Sequence, residues 1–195
     1  MKLAGTRIGF CVTGSFCTFH KVLPQMQRLV DEGAKVYPVF SYSVANTDTR
    51  FTTATQFRKE VEYITGNDVI DTIVGAEPIG PQQLLDVVVI APCTGNTLAT
   101  LANGMTDTPV LMAAKAHLRN QKPVVIAVST NDGLGNNGKN LAQLMNIKNI
   151  YIVPYYQDGP TVKVNSLMAD MEKVIDTTVL ALDKRQIHPV LLSIP

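Results

Sequence analysis

Cysteine and histidine are scarce in this sequence, three of each in 195 residues. Cys11, Cys17 and Cys93 are an odd number in a chain of this size, which argues against a disulfide framework and for free thiols. With His20, His117 and His188 as the whole histidine complement, the ligand spacings of a zinc site do not occur, and no metal is expected. An excess of one charge is lacking too. Seventeen Lys and Arg against 16 Asp and Glu leave a net +1, with the basic residues scattered. That removes the electrostatic footprint of nucleic-acid or membrane-surface binding and points to a small-molecule or protein partner. No apolar run reaches the roughly 18 residues of a bilayer span, and residues 1–13 hold no cleavable hydrophobic stretch, so a cytoplasmic location is expected. Repeats, low-complexity tracts and linkers are also missing. One domain over 1–195 is expected, with 157–195 as a C-terminal loop, helix and tail.

What the chain has is apolar, β-branched runs: Ile8 to Val12, Val36 to Phe40, Val87 to Ala91, Val124 to Val128 and Ile150 to Val153, with a short extra strand expected around Asp68 to Val74. Continuous rather than alternating runs suit strands covered on both faces, as in a parallel sheet with crossover helices. Helices are expected over Thr18 to Glu32, Thr52 to Thr65, Thr97 to Asn103, Thr108 to Asn120 and Ser166 to Leu182, several opening beside a capping Ser, Thr or Asn. The class is α/β: a three-layer, doubly wound, mostly parallel sheet of about six strands, Rossmann-like or flavodoxin-like.

Polar, small-residue clusters follow four of these strands: Thr13-Gly14-Ser15, Ser41-Tyr42-Ser43, Pro92 to Thr97 and Ser129 to Gly138. Ligands of open α/β sheets bind outside the carboxyl ends of the strands, so the four clusters can face one site. The same residues are ordinary turn and cap formers, and each cluster alone reads equally well as structure. Gly14-Ser15 can offer backbone donors and a hydroxyl to an anion such as phosphate. Gly9 and Gly14 lack the dinucleotide spacing and no acid ends the second strand, which disfavours NAD on this chain. Gly133 to Asn140 nearly spells a nucleotide phosphate loop but ends in Asn140, not Ser or Thr, which disfavours triphosphate hydrolysis. Thr94, Asn96 and Thr97 offer hydroxyl and amide groups that suit the edge of a flat heterocycle. Cys93, with no histidine placed as its base, reads as a packed thiol rather than a nucleophile.

Pro92-Cys-Thr-Gly-Asn-Thr97 resembles the Pro-Ala-Ser-Ala-Asn-Thr signature of the homo-oligomeric flavin-containing cysteine decarboxylases and their relatives, which include the enzyme that prenylates FMN. Gly14-Ser15 is similar to the family's phosphate-binding pair, and Val128-Ser-Thr-Asn131 stands where the family has Pro-x-Met-Asn. The likeness spans Arg7 to Tyr156. It implies FMN, with Gly14, Ser15 and Ser41 toward the phosphate, Phe16 as a further cofactor-binding residue, Thr94, Asn96 and Thr97 on the isoalloxazine edge, and Ser129 and Asn131 beside the reacting face. It also implies a homo-oligomer, a trimer or a multiple of trimers. Decarboxylating members carry a histidine shortly before the strand at 87–91, where this chain reads Glu77-Pro-Ile-Gly-Pro81. Cysteine decarboxylation is therefore disfavoured. Glu77 to Pro81, Met112 to Arg119 and Pro154 to Asp158 look instead like a branch that oxidises a dihydropyridine dicarboxylate together with a partner protein carrying NAD(P). Scaffolding of that partner, or a flavin-dependent decarboxylase-type activity, is the alternative. Arg50, Arg58, Lys115, His117, Arg119 and Lys139 are the candidate cations for the substrate's carboxylates; no catalytic residue is assigned.

Overall fold

The computed structural model describes residues 1–193. The apolar runs form five parallel strands: β1 (Arg7–Val12), β2 (Lys35–Phe40), β3 (Val87–Cys93), β4 (Val124–Thr130) and β5 (Ile150–Ile152), in the order β2-β1-β3-β4-β5. Every residue of β3 is buried, as continuous hydrophobicity demands of a central parallel strand. Among the described residues the eight α-helices are α1 (Phe19–Asp31), α2 (Tyr42–Asn46), α3 (Ala54–Thr65), α4 (Ile73–Ala76), α5 (Gly95–Ala102), α6 (Pro109–Arg119), α7 (Gly138–Met145) and α8 (Val174–Leu182). α1 and α8 pack on one face of the sheet, and α5, α6 and α7 on the other. Phe19 of α1 stacks on Phe57 of α3 with centroids 4.1 Å apart, and Phe57 meets Phe40 of β2 at 5.4 Å. This three-layer α/β arrangement is the expected class.

Several elements differ from expectation. Residues 68–74 form no strand: Ile70 makes one bridge to Val39, and the Thr72 hydroxyl then accepts from Gly75 N at 3.0 Å to open α4. Capping outweighs β-propensity there. The helix expected over Ser166 to Leu182 begins only at Val174. Ahead of it β7 (Leu167–Ala169) pairs antiparallel with β6 (Tyr155–Gln157) and with Ser129–Thr130 of β4. Among the described residues the sheet thus has seven strands rather than six, and 157–193 adds a strand to its loop, helix and tail. β4 is shared: its first half pairs with β5 and its carboxyl end with β7. That places β6 and β7 beside the polar ends of the parallel strands.

The opposite end of the sheet is tied by charge. The Arg7 guanidinium donates to both Asp86 oxygens, at 2.6 and 3.1 Å, and Arg7 N adds a bond of 2.8 Å. These bonds hold the Asp86 carboxyl below its usual range. No described helix is long and apolar enough to cross a membrane.

His117 is not a site cation. It sits in the last turn of α6 with 1% exposure, and its Nε2 has no hydrogen-bond partner among the described residues. A helix carboxyl end favours imidazolium by about 0.3–1 kcal/mol. Burial dominates and pulls the pKa from 6.5 down to about 4. A folded-state pKa below the unfolded one gives stability that is full above pH 6.5 and is lost as pH falls toward 4. His117→Leu should flatten the acid limb of a denaturation series, removing up to about 3 kcal/mol of pH dependence across that window. Chemical denaturation at pH 7, 5.5 and 4 checks it; parallel curves for the variant and the parent contradict it.

Candidate functional site

Strand order reverses between β1 and β3, which send their connections to opposite sides, and the chains leaving them border one crevice. The buried Thr13 hydroxyl joins the two exits: Oγ1 donates to Pro92 O at 2.7 Å and accepts from Thr94 N at 3.0 Å. Gly14 follows, where a Cβ would stand 2.9 Å from the Ser43 hydroxyl and would displace it, so glycine lets the β1 and β2 exits approach without a shift. Ser15 shares a 2.8 Å hydrogen bond with Ser129 at the end of β4. The three exits are thus linked by hydroxyls. Ser15 does not open α1 directly: a short 3-10 turn, Phe16–Thr18, intervenes, and the Ser15 side chain caps nothing.

Two adjoining cavities result, sharing Gly14, Thr94 and Asn96. The smaller, about 360 Å³, is lined by hydroxyls of Thr13, Ser41, Ser43, Thr97 and Thr108, with Asp107 at its exposed edge. The first turns of α5 and α6 border it, so their free N–H groups and dipoles favour negative charge there. The larger, about 800 Å³, is lined by Ser15, Phe16, Ser129 and Asn131, by Phe51 and Met168, and by Arg50, Lys163, Asp132 and Asp158. Every residue singled out from the sequence for the cofactor borders one of the two. Ser41 and Thr97 lie on the small cavity, Ser15, Phe16, Ser129 and Asn131 on the large one, and Gly14, Thr94 and Asn96 on both. The set expected around one phosphate is therefore divided, with Ser41 and Ser15 in different chambers.

The hydroxyls are not equally available. Thr94 Oγ1 caps α5 by accepting from Thr97 N at 3.3 Å and bonds Thr97 Oγ1 at 3.0 Å. Ser41 Oγ caps α2 and pairs with Ser43 Oγ at 3.0 Å. Asn96 is exposed, so its amide is open to a ligand. Cys11 and Cys93 are buried, which pushes both thiols up, whereas Cys17 is exposed and lines the large cavity.

The phosphate-loop look-alike is a scaffold. Asp132 accepts from the Thr130 hydroxyl and, with both oxygens, from Asn137 Nδ2 at 2.9 Å; Asn137 Oδ1 accepts from Asn140 Nδ2 at 2.9 Å. These bonds hold the Asp132 carboxyl below its usual range. Of the six candidate cations only Arg50 reaches the site. Arg58 pairs with Asp71 and Glu62, Lys115 and Arg119 border a separate recess beside Met105, and Lys139 is exposed on α7. Lys163, which no sequence pattern marks, lines the large cavity with Asp158 at 2.9 Å. Glu77 to Pro81 lies elsewhere, packed against α6 through Gly80 and Ala116. No histidine lines either cavity among the described residues.

A family model described as Flavoprotein matches residues 1–183. The chain is 52% identical over 192 residues, 98% of its length and 96% of the relative's, to the B subunit of dipicolinate synthase from Bacillus subtilis (strain 168). The crystal structure of the corresponding B subunit from Bacillus halodurans superposes with a TM-score of 0.91 at 52% identity, covering 99% of both chains. The FMN-dependent cysteine decarboxylase SpaF matches at a TM-score of 0.67 and 22% identity over 93% of this chain and 99% of its own, a likeness of fold.

Gly95 tests the scaffold. A Cβ there would fall 2.5 Å from both Asn137 Nδ2 and Thr130 Oγ1 and 2.9 Å from Asp132 Oδ1. Alanine gains about 1 kcal/mol over glycine in an open helix. Here overpacking of a hydrogen-bonded cluster should outweigh that gain, for a net loss of about 1–3 kcal/mol. Urea denaturation of Gly95→Ala checks the sign; a variant as stable as the parent contradicts it.

Proposed function

The chain belongs to the Flavoprotein family, and on that premise we propose that it is the FMN-binding subunit of a dipicolinate synthase. In this reading it helps oxidise dihydrodipicolinate to pyridine-2,6-dicarboxylate in a spore-forming bacterium, as a homo-oligomer beside a nicotinamide-binding A subunit. Identity of 52% over nearly the whole of a named B subunit supports the enzyme. The observation that carries the cofactor is the pair of joined cavities at the strand-order reversal.

The donor sets fit FMN. A hydroxyl-lined chamber bordered by two helix amino ends suits a phosphate, with Ser41, Ser43, Thr97 and Thr108 as donors. The larger chamber, with Phe16, Phe51 and Met168 among polar groups, suits a flat ring. Gly14, Thr94 and Asn96 stand between them, where the ribityl chain would cross. Bound FMN would supply the hydride acceptor for a dihydropyridine becoming aromatic. The chain's part is placement. Asn96 and Asn131 offer exposed amides to the ring and its substrate, and the Ser15–Ser129 pair offers one free proton or lone pair to a group above it. Asp132, already satisfied by three hydrogen bonds, fixes the wall. Phe40 and Ser41 stand where a dinucleotide site has its ribose-binding acid, which supports leaving NAD(P) to the A subunit.

With no histidine on either cavity among the described residues, the competing reading is a scaffold that keeps the fold and positions the A subunit. Steady-state assays of the reconstituted pair separate the two, with assembly checked by size exclusion. Ser15→Ala and Asn96→Ala should each lower both FMN content and turnover, by about tenfold or more, without preventing assembly. Cys93→Ala, at a buried thiol, should leave turnover within about threefold. Full activity in an assembled variant free of FMN would end the flavin reading in favour of the scaffold.

A further inference from the structure

Building on the flavin-site reading, we infer that Arg50 and Lys163 are the residues that hold the two carboxylates of a planar dicarboxylate substrate in the large cavity. They are the cations that line it among the described residues. They arrive from different walls, Arg50 from the turn between α2 and α3 and Lys163 from the turn between β6 and β7.

Both turns are built. The Thr49 hydroxyl donates to Thr52 O at 3.1 Å and accepts from Phe51 N at 3.2 Å, and Asp48 Oδ1 accepts from Ala54 N at 2.9 Å. This presents Arg50 and Phe51 at the tip. On the other side Val162 N and Lys163 N both donate to Gly159 O, at 2.9 and 2.7 Å, and Ser166 N returns to Lys163 O at 2.9 Å.

Arg50 has no acidic partner among the described ion pairs, and its guanidinium lies 4.9 Å from the Phe51 ring centroid. A cation beside an exposed aromatic face, both open to one cavity, suits a flat anionic ring. Lys163 is engaged by Asp158 and can exchange that carboxylate for a substrate's. The cavity's two carboxylates oppose a dianion unequally. Asp132 is fixed by Thr130 and Asn137, whereas Asp158 competes directly for Lys163. One unpaired cation and one exchangeable cation match two carboxylates; a monoanion leaves one of them unused.

The probes are pyridine-2,6-dicarboxylate and pyridine-2-carboxylate, and the readout is protection of Cys17, the exposed thiol on this cavity, from alkylation, with and without FMN. Flavin fluorescence reports FMN affinity in parallel. The parent should bind the dicarboxylate more tightly. Arg50→Gln and Lys163→Gln should each weaken it about tenfold or more and narrow the gap between the probes, with FMN affinity unchanged. Asp158→Asn, which removes the competitor, should tighten the dicarboxylate, an effect that a purely structural ion pair would not give. The assignment is overturned if the probe gap persists in both glutamine variants, if Asp158→Asn weakens binding, or if neither probe protects Cys17 in the parent. Failure of the flavin reading looks different: the parent takes up no FMN while Cys17 protection still reports on the two cations.

Discussion

Thr13 Oγ1 sits between two strand exits, donating to the carbonyl of Pro92 and accepting from the amide of Thr94. Both partners are backbone groups that β1 and β3 no longer pair, and a buried backbone group left unpaired costs roughly 1–3 kcal/mol. That bond keeps the two exits side by side where strand order reverses, and the site grows from it. Gly14 and Ser15 leave on one side and the amino end of α5 on the other, while Ser15 reaches across to Ser129 of β4.

Charge is used sparingly. The molecule carries a net +1, and the large cavity is lined by two cations and two carboxylates. In the proposed reading, anion preference comes from orientation: helix amino ends and hydroxyls around the small chamber, and on the large one Arg50, unpaired among the described residues. Orientation of fixed dipoles survives salt better than surface charge does, because groups within a cavity are screened less. The same economy explains Asp132, whose charge serves the wall of the site and holds the loop after β4 by three hydrogen bonds.

Much of this was legible in the sequence because burial on both faces leaves an unbroken apolar signature. All five parallel strands lie on the expected runs, and all nine residues expected at a cofactor border the two cavities. What escaped was set by tertiary pairing. β6 and β7 are three residues each, too short for a period, and exist because the end of β4 offers them an edge. Lys163 reaches the cavity only through that pairing. His117 reads as a cation until its burial is seen. The near-miss phosphate loop has the glycines and lysine of a nucleotide loop but not its closing hydroxyl, and Gly133 and Gly138 serve close packing on Leu167 and the start of α7.

The flavin reading stands or falls on a phosphate seated in the hydroxyl-lined chamber between the amino ends of α5 and α6. FMN and riboflavin differ only in that phosphate, so calorimetric titration of the purified chain with each isolates its contribution. FMN should bind saturably with one site per chain, and riboflavin more weakly by about a hundredfold, on the order of 2.7 kcal/mol. Equal affinities, or no binding of either, would refute the seat of the phosphate and the cofactor with it.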